Sequence, residues 1–257
     1  MNQINRKSKI SSFFELLSSH CEYIMTFALG LLMIVQRFFS GVYKPVMDDW
    51  FLYGDLYKGI SNRLANFSIP NEKFAIRPLA GVFDCFVNAP LFNHLWIVEL
   101  FLTFSLLFGS FLIIEALRRN NFASGGFFLC LVCLFPVGLE ATYWIAAATR
   151  VVYSLLFIGC ATLSLDYCYK SDKVKFLIMF AVFGMLSVCF YEPAIVVYII
   201  LTLFIVWNNY KNKKDLLPLA IMAAHIAIIG IYYILNSGSG EIESRGGFLE
   251  TDILEHT

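Results

Sequence analysis

Long runs without charged residues dominate the chain and predict membrane-spanning helices. A helix needs roughly 20 residues to cross the hydrocarbon core of a bilayer. Helical periodicity adds little, because a helix in lipid is apolar on all sides. The runs predict an all-α polytopic membrane protein with about seven spans. The predicted spans cover residues 12–36, 94–114, 121–139, 151–165, 176–191, 193–210 and 216–235; the first includes Glu15 and Glu22 near its entry, and the second is extended back through Glu99.

Basic residues fall in alternate connections between these runs, and they predict the orientation of the chain. With seven spans, all four basic clusters lie on one side, and the positive-inside rule makes that side the cytoplasm. We therefore expect a multi-pass protein of the cytoplasmic (inner) membrane with a cytoplasmic N-terminus. The clusters are Arg6, Lys7 and Lys9; Arg118 and Arg119; Lys170, Lys173 and Lys175; and Lys211, Lys213 and Lys214.

The polar stretches between the runs predict the domain organisation. Residues 1–11 form a cytoplasmic N-terminus, and residues 12–236 form the transmembrane domain. Within it, an outer loop over residues 40–93 contains an apolar stretch at 79–91 that is too short to span, and we expect an interfacial or re-entrant helix there. Residues 237–257, rich in Gly, Ser and acids, predict a non-cytoplasmic tail or the start of a further domain.

The composition supports a membrane protein and excludes several other classes. Of the 257 residues, 59% are hydrophobic and 15% charged, against about 45–50% and about 25% in soluble domains. The 19 basic and 19 acidic residues balance, so we expect no nucleic-acid partner. The sequence also contains neither a phosphate-binding glycine loop nor a GxSxG nucleophile motif.

Because charges are costly in a bilayer, those at the predicted outer edge are candidates for function. The adjacent pair Asp48-Asp49 follows the first span and precedes Trp50. It is interpreted either as part of a solvated loop or as a functional pair. In the second case one carboxylate acts as a base, or both bind a divalent cation, although no set of ligands demands a metal.

Further candidates lie at the outer ends of later spans. Glu140 and Arg150 flank an aromatic turn; they either form a structural ion pair, or Arg150 binds an anionic lipid phosphate. Arg77, followed by Pro78, is a second candidate for phosphate binding. Glu192 either caps the helix that follows it or contacts the site.

The order of these motifs resembles that of the GT-C superfamily of polytopic glycosyltransferases over about residues 20–205. It is most similar to protein O-mannosyltransferase-like branches and to bacterial membrane glucosyltransferases that modify surface polysaccharide. Phe135 stands where related chains often have His, and the chain would be a short or truncated member. The motifs are Asp48-Asp49, Arg77-Pro78-Leu79, Phe135-Pro136-x3-Glu140-x3-Trp144-x5-Arg150 and Tyr191-Glu192.

The resemblance implies an inverting hexosyltransferase of the cell envelope. Its partners would be a polyprenyl-phosphate sugar donor and a glycan, protein or lipid acceptor. Asp48 or Asp49 would be the catalytic base, and Arg77 or Arg150 would bind the donor phosphate. The remaining site-lining positions would be Glu140, Trp144, Tyr191 and Glu192.

Two other functions fit the sequence. A transporter or flippase for a lipid-linked sugar would carry ionisable residues near the bilayer midplane, whereas these lie at one edge. A non-catalytic membrane partner in polysaccharide assembly would explain the short length.

Overall fold

The computed structural model describes residues 21–39, 59, 77–122, 145–171, 173–210 and 216–235, and the regular elements in these ranges are all helices. The seven α-helices are α1 (Cys21–Phe39), α2 (Pro78–Phe83), α3 (Leu95–Arg119), α4 (Ile145–Ser171), α5 (Val174–Phe190), α6 (Ile195–Asn209) and α7 (Leu217–Leu235). A π-helical turn (Asp84–Asn88) and a 3₁₀ segment (Ala89–His94) join α2 to α3, and a 3₁₀ turn (Glu192–Ala194) precedes α6.

Within the described ranges, three helical stretches are long and apolar enough to cross a membrane. They are Pro78–Arg119, Ile145–Ser171 and Glu192–Asn209. Three shorter apolar helices accompany them, at Tyr23–Leu32, Val174–Phe190 and Leu217–Tyr232. The described part of the chain is therefore all-helical, and its long apolar helices indicate a membrane protein, as the charge-free runs predict. The run at 121–139 lies mostly outside the described residues.

The predicted interfacial stretch at 79–91 is helical and joins α3 through the 3₁₀ segment, with a non-helical backbone conformation at His94 (φ −131°, ψ 40°). As one straight helix at 1.5 Å per residue, the 42 residues of Pro78–Arg119 would extend roughly 60 Å. This is about twice the 30 Å hydrocarbon core, so only part of the stretch can span. The interfacial position of its first part stays a prediction.

Helix α4 is central, and its largest contacts are with α3 and α5. A close approach between α3 and α4 depends on glycine: a Cβ at Gly109 would lie 2.7 Å from the Leu156 Cα, and one at Gly159 would lie 2.6 Å from the Gly109 carbonyl oxygen. Small residues allow such proximity between membrane helices. Two buried clusters flank this contact, one around Val98, Leu102 and Val152, the other around Phe180 and Tyr198.

Helices α3, α4 and α6 run in the same direction and α5 runs antiparallel to α4, so the helix ends form two polar regions. We call the region at the end of α3 the Arg119 end. It includes Arg119 and the last turns of α4 and α6, because Arg119 contacts Asp166 and Asn120 contacts Asn209. The opposite region, here the Arg77 end, comprises the start of α2, the start of α4 and the corner between α5 and α6.

Candidate functional site

The corner between α5 and α6 is bound to the start of α2 by a bidentate ion pair. Arg77 precedes Pro78, which occupies the first turn of α2, where the missing N–H of proline is tolerated. The Arg77 guanidinium donates from Nε to Glu192 Oε2 and from Nη2 to Glu192 Oε1, both at 2.6 Å. The two side chains are only 17% and 19% exposed.

Tyr191 completes this contact. Its backbone is extended between the two helices, with φ −153° and ψ 107°, and Pro193 follows in the 3₁₀ turn, where a proline is tolerated near a helix start. The Arg77 guanidinium carbon lies 4.9 Å from the Tyr191 ring centroid, within cation–π range. Arg77, Tyr191 and Glu192, all predicted from the sequence as site residues, therefore form one cluster.

Arg150, the second predicted phosphate-binding residue, pairs with Asp84. Arg150 Nη2 lies 3.3 Å from Asp84 Oδ2, and the Asp84 side chain is 2% exposed. Arg150 also donates to the carbonyl oxygen of Ala146. The side-chain amide of Asn88 links the π-helical turn to α4, because it donates to Asp84 at 3.2 Å and to the Thr149 hydroxyl at 2.9 Å.

The two ion pairs share one side of the segment that begins at α2. Arg77 and Asp84 are seven residues apart, which corresponds to about two helical turns and roughly 10 Å. Between them, Phe83 packs on Tyr153 and Phe190, with ring centroids 4.9 and 5.0 Å away. These contacts anchor the segment to α4 and α5.

Asp84 is the residue of this site that sequence reasoning missed. It lies in the apolar stretch at 79–91, where no site residue was predicted. Its spacing of seven from Arg77 gives a sequence indication, because two charged residues two turns apart share a helix face. Asp48, Asp49, Glu140 and Trp144 lie outside the described residues, so their roles stay predictions.

The charges of the described site balance locally, since each arginine has a carboxylate partner. An incoming anion must therefore compete with a carboxylate for the guanidinium. Arg suits this exchange because its planar fork binds carboxylate and phosphate oxygens in the same bidentate geometry. A phosphate would have to displace one of these carboxylates in order to bind here.

The Arg119 end contains a denser network around a single buried acid. The Asp166 side chain is fully buried and receives Arg119 Nε at 2.6 Å and Lys170 Nζ at 2.7 Å. Asn120 donates to the same carboxylate at 2.8 Å and accepts from Asn209 at 2.6 Å. This network joins the ends of α3, α4 and α6 and satisfies the acid with hydrogen bonds, as burial requires.

Among the residues that the structure describes, no group of three or more His, Cys, Asp or Glu residues could bind a metal. One histidine, His225, lies within α7 and contacts the Tyr198 hydroxyl through Nδ1 at 3.0 Å. Asp48 and Asp49, the positions considered for a divalent cation, are not among the described residues.

The fold and the described site thus define a helical membrane protein with paired arginines and acids at one end of the bundle. No protein-family model, no curated protein and no solved structure matches the chain.

Proposed function

We propose that the protein is a membrane glycosyltransferase of the GT-C type. It would transfer a sugar from a polyprenyl-phosphate donor to a cell-surface glycan, protein or lipid acceptor on the non-cytoplasmic face. The observation that carries the proposal is the placement of Arg77 and Arg150 at the same end of the bundle, where Arg150 on α4 pairs with Asp84, about two helical turns beyond Arg77 along the segment that begins at α2.

The donor phosphate would take the place of Glu192 on Arg77. The guanidinium of Arg77 is held by Tyr191 and Glu192 in a geometry that already binds two oxygens side by side. A phosphate presents two oxygens in the same arrangement as a carboxylate and carries more negative charge than a carboxylate does. Arg150, one helix away, would neutralise the charge that develops on the leaving phosphate.

The reaction is an inverting displacement. Asp48 or Asp49 takes the proton from the acceptor hydroxyl, whose oxygen forms a bond to the anomeric carbon. The bond between that carbon and the phosphate oxygen breaks, and the departing polyprenyl phosphate keeps its electron pair. A lipid-linked donor accounts for a site at the membrane edge without a nucleotide-binding fold.

The finer topology belongs to the same proposal. Seven spans with a cytoplasmic N-terminus would put the Arg77 end on the non-cytoplasmic side. This orientation is supported by Arg118, Arg119 and Lys170, which lie at the opposite end of the bundle.

A transfer assay tests the proposal. Membranes containing the full chain are incubated with radiolabelled polyprenyl-phosphate sugar, and label in the acceptor fraction is counted. We expect Arg150→Gln to lower kcat by about 10²–10³-fold, the usual effect of removing a group that stabilises transition-state charge. The matched control is Lys175→Gln, which removes an exposed charge at the Arg119 end and should leave transfer unchanged.

The catalytic base is tested separately with Asp48→Asn combined with Asp49→Asn. If the double variant transfers sugar at the rate of the unsubstituted protein, neither carboxylate is the catalytic base. Movement of the lipid-linked sugar across liposomes by the purified protein, with no transfer in any preparation, would instead support a flippase.

A non-catalytic membrane partner is the second candidate. It is favoured by the intramolecular neutralisation of both arginines, because such pairs also stabilise a bundle without any ligand. This function predicts that the protein copurifies with an active glycosyltransferase and that Arg150→Gln lowers stability without changing the partner's turnover.

A further inference from the structure

An apolar groove runs between α1 and α3, away from the site at the Arg77 end. The two helices are antiparallel, with Tyr23 beside Phe111 and Gly30 beside Leu107. Their closest approach depends on the glycine, since a Cβ at Gly30 would lie 2.5 Å from the Leu107 Cδ1. The groove has a volume of about 380 Å³, within the usual range for ligand pockets of about 300–1,000 Å³.

The walls of the groove are aromatic and aliphatic, and they are open to the surroundings. Phe27 and Leu31 line one wall, while Phe104 and Phe108 line the other. Phe27 is 73% exposed, and Phe104 and Phe108 are each more than half exposed. Because the side chains that line the groove are almost all apolar and several are exposed, the groove fits the hydrocarbon region of a bilayer.

One end of the groove is polar and basic. The Tyr23 ring lies 5.1 Å from the Arg118 guanidinium carbon, and the Tyr23 hydroxyl donates to Glu115. Arg118 also bonds to Glu115 through Nε and Nη2, yet its side chain is 48% exposed. The groove therefore ends at a cation that remains accessible to a second acceptor.

The charges around this end favour an anion. Within the described part of the chain, the ion-paired network here contains three basic side chains and two acids. The local balance is thus one positive charge. The basic members are Arg118, Arg119 and Lys170, and the acids are Glu115 and Asp166.

The length of the groove matches one leaflet. From Tyr23 to Leu31 the helix rises about 12 Å at 1.5 Å per residue, close to half of the roughly 30 Å hydrocarbon core. An acyl chain that follows the groove from the Arg118 end would therefore extend to about the midplane. Basic pockets between membrane helices commonly bind anionic headgroups in this way.

We propose that the groove between α1 and α3 binds an acyl chain of an anionic phospholipid whose phosphate is bound by Arg118. The apolar walls select a lipid chain, and the half-exposed guanidinium selects the negative headgroup. The site lies at the end of the bundle opposite to Arg77 and does not depend on the proposed glycosyl transfer.

The test uses the full chain, purified in neutral detergent and freed of lipid. Phosphatidylglycerol and phosphatidylcholine are titrated separately, and bound lipid is measured by native mass spectrometry. We expect one tightly bound phosphatidylglycerol per chain and no comparable phosphatidylcholine. Arg118→Gln should weaken phosphatidylglycerol binding about fivefold, the effect of one basic residue at a membrane surface, whereas Lys175→Gln should not.

A matched pair of neighbouring leucines tests the groove itself. Leu31 and Leu32 are 53% and 55% exposed, but only Leu31 lines the groove. Leu31→Trp fills the groove and should abolish the bound lipid, while Leu32→Trp should retain it. If Leu31→Trp does not fold, Phe108→Trp replaces it, with Phe101→Trp as its control.

Three results would overturn the proposal. The first is equal binding of the two lipids, and the second is equal retention of phosphatidylglycerol by the groove-filling variant and its control. The third is a lipid-free dimer that Leu31→Trp dissociates, which would assign the groove to a second copy of the chain.

Discussion

Removal of the Glu192 carboxylate tests how strongly the corner between α5 and α6 is coupled to the start of α2. Glu192→Gln keeps the shape of the side chain but removes the negative charge that Arg77 binds through two 2.6 Å contacts. The largely buried guanidinium of Arg77 then loses the charge of Glu192. We expect a clear loss of stability.

The structure bounds the size of this loss. Unit charges about 4 Å apart attract by about 4 kcal/mol at an effective dielectric constant of 20. Part of this attraction is offset by the desolvation of the two groups. Breaking a buried pair costs about 3–5 kcal/mol and an exposed pair is worth about 0.2–1 kcal/mol. Because both side chains are less than one-fifth exposed, we expect a coupling energy of about 2 kcal/mol.

A double-mutant cycle measures this coupling. The variants are Glu192→Gln, Arg77→Gln and the combination, unfolded by SDS titration in mixed micelles and followed by far-ultraviolet circular dichroism. The control cycle removes Arg118 and Glu115, a more exposed pair, whose coupling should stay below about 1 kcal/mol. A coupling between Arg77 and Glu192 no larger than the control would refute the reasoning.

Two further predictions concern helix packing, each measured by the same unfolding assay. Gly159→Ala should destabilise the protein by about 1–3 kcal/mol, because the new Cβ would meet the Gly109 carbonyl oxygen at 2.6 Å. Gly230→Ala, with open space around it, should be neutral or stabilising; equal effects of the two substitutions would contradict the packing argument. Tyr198→Phe removes the hydroxyl that contacts His225 at 3.0 Å and should cost about 1 kcal/mol. An unchanged unfolding midpoint would show that this hydrogen bond contributes nothing net.

The helices could be predicted from the sequence because each charge-free run is a local property. The runs at 176–191 and 216–235 differ from α5 and α7 by no more than two residues at either end. The run at 151–165 is shorter than α4, which continues to Ser171. Its extension contains Asp166 and Lys170, charges that the helix tolerates because they are paired with each other.

The pairing of the arginines depends on packing and could be predicted only in part. Arg77 and Glu192 were expected at the same edge, and they are in direct contact. The partner of Arg150 is Asp84, 66 residues away in sequence, and only the arrangement of α2 against α4 brings the two together. The close contact between Gly109 and Gly159 likewise depends on how two helices cross, which no local pattern reveals.

At the Arg119 end, the grouping of the basic residues could be predicted from the sequence, but their buried acidic partner could not. The basic clusters of alternate connections were expected on one side, and Arg118, Arg119 and Lys170 do lie at one end of the bundle. The sequence argument did not anticipate that a buried acid, Asp166, binds two of them. A single acid just beyond a charge-free run, at an end rich in arginine and lysine, is the pattern that indicates such a network.

Binding of a polyprenyl phosphate to the purified protein tests the central claim most directly, since the Arg77 end is proposed to bind the phosphate of the donor. A photoactivatable polyprenyl phosphate would be cross-linked to the full chain, with Arg77→Gln, Arg150→Gln and the control Lys175→Gln compared in parallel. The account predicts labelling that is strongly reduced by either arginine substitution and unchanged in the control. Labelling of equal strength in all four proteins would contradict it.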